Sequence, residues 1–144
     1  MTSGAAVAVA ALFTWFGMVV AISFIEAPLK FRAPGVTLKI GLGIGRLVFR
    51  ALNTAEVLLA VLVVIAAVLG SLPPGANAAI ATACVALLVQ LMAVRPLLTR
   101  RSNAVLTQSG EAESTRSRAH HAYVGLELVK LIALLVGGVV LLTA

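Results

Sequence analysis

Two histidines, a tyrosine, a glutamate and a lysine stand together in AHHAYVGLELVKL, residues 119–131, at the mouth of a long apolar run. Hydrocarbon does not solvate charge, so an ionisable side chain inside such a run points to function by default. On a helix turning about 100° per residue, His120, Tyr123, Glu127 and Lys130 fall within roughly 80° of one another, and His121 points about 100° away from His120. That stripe can exchange protons, pair ions or hold a small ligand. Glu56, Asn53, Gln90, Glu26 and Arg95 lie in or beside three other apolar runs and supply more of the same chemistry.

Three uses of these groups compete. A proton- or cation-coupled carrier would titrate Glu56 or Glu127. A metal centre could draw on His120, Glu26, Glu56 and Glu127, although the paired Glu-x-x-His motif of di-iron bundles is missing. The third is purely structural: Glu127 and Lys130, spaced i, i+3, neutralise each other, Glu26 and Arg95 snorkel, and the histidines cap a helix beside headgroups. Glu56 resists that last reading, because it lies about two turns inside its run with no basic neighbour on its own helix. It needs Lys130, a proton or a ligand.

Other chemistries are excluded by the residues themselves. Haem held by two histidines of one chain fails because the only two are adjacent; a single axial histidine, or one from each of two subunits, stays open. No cofactor is predicted. The five acidic residues are all glutamates, and no serine, cysteine or histidine arrangement suggests hydrolysis. Whether the chain is an enzyme is left undecided. Cys84 has no partner for a disulfide.

These groups must be positioned by spanning helices. A chain of 144 residues that is 61% hydrophobic and 11% charged, with mean hydropathy +1.11, has more apolar surface than one soluble core could bury. The expected fold is an all-α integral membrane protein, a single domain over residues 1–144. Spans are expected at about 5–25, 47–69, 76–98 and 119–142, with polar loops at 27–46 and 99–118. The first run lacks a basic leader and reads as a retained helix rather than a cleaved signal. Trp15 reads as a packing residue. Gly17 and Ala21 form a small-xxx-small pair suited to close helix approach, and Gly137 and Gly138 further on would allow tight packing. GLGIGR, with Gly41, Gly43 and Gly45 at alternate positions, lacks the spacing and the strand of a dinucleotide site. It reads as a bend at the membrane surface or, less simply, a nest for a phosphate headgroup, within a short amphipathic element over 31–50.

Charge sets the expected orientation. Lys30, Arg32, Lys39, Arg46 and Arg50 surround the first loop and Arg95, Arg100, Arg101, Arg116 and Arg118 the second, so ten of the eleven cations flank these two segments. The positive-inside rule then puts both loops in the cytoplasm and both termini outside, in a plasma (inner) membrane, as an antiparallel up-and-down four-helix bundle. The net charge of +6 is explained by anionic lipid headgroups at Lys30, Arg32, Lys39, Arg46, Arg50, Arg100 and Arg101 rather than by nucleic acid. Polar residues crowd the loop-side half of the four runs, which predicts a polar cavity opening to the cytoplasm. A homodimer or a larger membrane complex is compatible with this pattern.

The run WFGMVVAISFIEAPLKF, the LVFRALN step into the second span and the His-His entry to the fourth resemble the small four-helix membrane proteins grouped with transmembrane protein 205. The shared positions are Gly17, Pro28, Phe31 and a histidine at the fourth span; Glu127 and Lys130 depart from the pattern. The resemblance implies a compact four-span bundle and little about chemistry.

Overall fold

A computed structural model describes residues 2–94, 96, 100, 103 and 116–144, without the side chains of 94 and 116–120. Every element among them is helical. Helix α1 is Ser3–Arg32, α2 is Leu38–Gly70, α3 is Pro74–Ala93 and α4 is Arg116–Thr143. All four include stretches long and apolar enough to cross a membrane.

Local chemistry fixes the helix ends. Thr2 and Thr37 cap α1 and α2, their side-chain oxygens accepting from Ala5 N at 3.2 Å and Ile40 N at 3.3 Å, which satisfies one orphan donor in each first turn. Between these helices runs a short turn containing Pro34 and Gly35, and Gly35 takes φ 79°, a left-handed conformation that suits glycine. The α2–α3 turn closes with Ser71 at φ 47°, Pro74 at the start of α3, and Asn77 Nδ2 donating to Leu72 O at 3.1 Å. Gly75, just before the expected start of the third span, is already helical.

One sequence-based boundary changes. The amphipathic element expected at 31–50 is not separate: from Leu38 it continues without a break into the second span, giving one helix of 33 residues. At ~1.5 Å per residue this is about 50 Å, and α1 is about 45 Å, against a hydrocarbon core of ~30 Å. Both are longer than that core is thick.

The glycines of GLGIGR explain why no bend forms. Gly41 and Gly45 are one helical turn apart and buried, and the end of α1 lies in the groove they leave. A Cβ at Gly41 would stand 2.3 Å from the Phe31 ring, and one at Gly45 2.9 Å from Lys30 Nζ. Gly43 points into open space. Gly41→Ala is therefore expected to cost about 1–3 kcal/mol by displacing Phe31, whereas Gly43→Ala should be neutral or gain up to about 1 kcal/mol of helix preference. Unfolding of the two variants in detergent checks this, and equal effects would contradict the groove.

Close approach also occurs at the opposite, apolar end. Gly4 faces Gly70, Gly137 meets Ala79 and Leu12, and Gly138 lies under the Phe13 ring. Without a hydrophobic drive between helices in lipid, such close packing is what holds them. The expected close approach at Gly17 and Ala21 is not seen among the described residues: Gly17 has nothing within 4 Å there, and both residues face outward. The inward face of α1 is instead Ala8, Ala11, Leu12, Trp15 and Val19, at three- and four-residue steps. Helix α1 packs on α2 and α4, and α4 packs on α3, while α2 and α3 touch sparsely.

Candidate functional site

Among the described residues four charged or polar side chains are in the core: Glu56, Gln90, Glu127 and Lys130, none more than 4% exposed. Their centre is Lys130. Its ammonium has three protons to donate, and three acceptors surround it: Glu56 Oε1, Gln90 Oε1 at 2.8 Å and Glu127 Oε2 at 2.7 Å. The first two are hydrogen bonds; the third is an ion contact at an angle too poor for one, which leaves Glu127 Oε2 without an aligned donor. One lysine thus joins α2, α3 and α4.

The two carboxylates differ in their surroundings. Glu127 Oε1 accepts from Tyr123 OH at 2.7 Å and from Ser23 Oγ at 3.1 Å. Glu56 Oε1 accepts from Trp15 Nε1 at 2.9 Å and from Lys130, but among the described residues Glu56 Oε2 has no hydrogen-bond partner, nor has Gln90 Nε2. Two carboxyls face one ammonium, so with both ionised the cluster holds a net charge of −1 among apolar walls.

Helix geometry accounts for the placement. Tyr123, Glu127 and Lys130 are at i, i+4 and i+7 and share a face of α4. In a regular α-helix Ser23 would lie about 80° from Trp15. A π-helical stretch, Val20–Glu26, winds more slowly and turns Ser23 back towards Glu127. A second π stretch, Gln90–Val94, begins at the glutamine that receives Lys130. Such π insertions in α-helices are frequent at functional sites.

Glu56 precedes the end of α2 at Gly70 by fourteen residues, about 21 Å along the axis, so in a ~30 Å core the cluster is about 9 Å from the basic side. The sequence-based expectation of a cavity open to that side is not met. The charged groups are closed off, because Lys130 reaches across the bundle and draws the acceptors of two other helices onto itself. On the basic side, Phe49 stands edge-on to Tyr123 at 6.0 Å. Lys30 Nζ lies 5.4 Å over Phe49 and 5.6 Å over Phe31.

The other expected site residues separate from this cluster. Glu26 pairs with Lys30 at 3.4 Å in an outer ion pair. Lys30 is therefore tucked under aromatic rings, with a side chain 9% exposed, and is not presented to headgroups. Asn53, half-buried one turn from Glu56, takes no part in the hydrogen bonds of the cluster. Arg95, Arg101 and the side chain of His120 lie outside the described residues. His121 is exposed. Among the described residues no three of His, Cys, Asp and Glu come together as a metal-holding group; Glu26 is apart from Glu56 and Glu127. Trp15 and Ser23 were missed. For Trp15 a signal existed, since an indole N–H at mid-span needs an acceptor on another helix.

No protein-family model matches the chain, and no curated protein or solved structure is similar to it. What the fold and the site define is a class: an all-helical chain with four helices able to cross a membrane, suggesting a multi-pass membrane protein, with an ion cluster buried among them.

Proposed function

We propose that this is a polytopic membrane protein in which the Glu56–Lys130–Glu127 cluster binds and passes on a small ligand or coupling ion. The observation that carries this is the imbalance inside the cluster: two buried carboxyls, one buried ammonium, an acceptor oxygen on Glu56 and an amide nitrogen on Gln90 without partners. A purely structural ion pair would be balanced and fully hydrogen-bonded. Buried ion pairs contribute little net stability compared with apolar packing, which favours a functional reason for keeping three ionisable groups at this depth.

In this reading the helices form an antiparallel up-and-down bundle with both termini outside the plasma (inner) membrane. The basic ends of α1 and α2 face the cytoplasm, where exposed Arg32, Lys39 and Arg50 meet anionic headgroups. Access is from that side, through the layer of Phe49, Tyr123 and the Glu26–Lys30 pair, which is short compared with the apolar half beyond the cluster. The closed arrangement described above is then one of two states, and displacement of Tyr123 opens the other.

Flux through reconstituted vesicles tests the proposal. Imposed proton, sodium or potassium gradients should relax faster with the wild-type protein than with Glu56→Gln for at least one of the three ions. Equal rates for all three, matching protein-free vesicles, would remove the carrier reading and leave the cluster as a structural tie.

A further inference from the structure

The geometry points to a proton as the ion this cluster holds, bound at Glu56 Oε2, with Glu127 remaining the fixed anion that balances Lys130. The inference rests on the reading of the cluster as an exchangeable site and names its ligand.

The argument is one of charge and donors. With both carboxyls ionised, a net negative charge stays in a bundle wrapped by hydrocarbon, the costliest state for such a cluster. One bound proton makes it neutral: the Glu56 carboxylate takes up H⁺ to become a carboxylic acid, and no other bond changes. The groups facing the cluster decide which carboxyl takes it. Glu127 is surrounded by donors: Tyr123 OH and Ser23 Oγ on one oxygen and the Lys130 ammonium against the other. Two hydrogen bonds on Oε1 and an ammonium 2.7 Å from Oε2 suit an ionised carboxylate, although that second oxygen also lacks an aligned hydrogen bond among the described residues. Glu56 has both its donors, Trp15 Nε1 from α1 and Lys130 Nζ from α4, on Oε1. That pattern fits a neutral carboxyl whose Oε1 is the carbonyl oxygen and whose bare Oε2 carries the hydrogen. From α3 the cluster is faced by Gln90, which brings no charge, and on α2 the neighbouring Asn53 is neutral too. Among the described residues no group facing Glu56 adds a positive charge besides Lys130.

Infrared spectroscopy of the purified full-length chain in lipid at neutral pH reads this directly through the carbonyl stretch of a protonated carboxyl. The wild-type protein is expected to show one such band. Glu56→Gln, which keeps the cluster neutral, should abolish it. Trp15→Phe, which deletes a donor to the carbonyl oxygen, should move it to higher frequency, and Tyr123→Phe should leave it in place. Absence of the band in the wild type, or a band moved by Tyr123→Phe and not by Trp15→Phe, overturns the assignment. If the band is absent while sodium or potassium alters the carboxylate bands, the proton assignment fails and the wider reading of an ion site survives. If the band behaves as expected but never responds to bulk pH, the assignment to Glu56 holds and the wider reading of an exchangeable site falls.

Discussion

Lys130→Met is expected to destabilise the folded protein by about 3–5 kcal/mol, the usual cost of removing one partner from a buried ion cluster. The loss arises less from the contacts of the ammonium than from what it leaves behind: Glu127, fully buried, without its counter-charge. Adding Glu127→Gln removes that orphan and should recover much of the loss. Adding Glu56→Gln should recover little, because Glu127 still lacks a cation. Glu56 and Lys130 do pair, but Glu127 on the same ammonium makes their mutual rescue unequal. With Glu127 also on the ammonium, Glu56→Gln alone leaves Lys130 compensated and should cost only about 1–3 kcal/mol for altered hydrogen bonds. A double-mutant cycle over the three positions, measured by unfolding in detergent, separates the arrangements. Equal rescue by either glutamine would contradict the asymmetry.

Trp15→Ala should be comparably damaging, at about 3–5 kcal/mol. Trp15 is the largest fully buried side chain, at 0% exposure, and lies between the apolar core and the cluster. Truncation leaves a void in the core and removes the donor that α1 gives to Glu56. Trp15→Phe keeps most of the volume and isolates the hydrogen bond, so its cost should fall to about 1–3 kcal/mol. Similar losses for the two variants would mean that the hydrogen bond, not the packing, is the main contribution of Trp15.

Much of the architecture was legible because the bilayer imposes it: long apolar runs become helices, and their number follows from composition. The stripe of Tyr123, Glu127 and Lys130 followed from the helical period, and the deep positions of Glu56 and Gln90 from counting along their runs. Other features depend on three-dimensional detail that one-dimensional patterns do not carry. The π stretch at Val20–Glu26 changes the phase of α1 and brings in Ser23, and nothing in VAISFIE announces it. Gly41 and Gly45 read as flexible residues until Phe31 and Lys30 of α1 are seen lying over them. The open cavity was inferred from where polar residues cluster along the axis, but reach decides the outcome: a lysine side chain spans the bundle and closes the space.

The claim that the cluster exchanges an ion is tested most directly by stability as a function of ion concentration. A species that binds the folded protein alone, at about 100 times its dissociation constant, should raise the unfolding free energy by about 2.7 kcal/mol. Titrating protons, sodium and potassium separately against wild type and Glu56→Gln in detergent should give such a gain for one ion in the wild type and none in the variant. Parallel responses of the two proteins to every ion would contradict the account and identify the buried cluster as a structural tie between four helices.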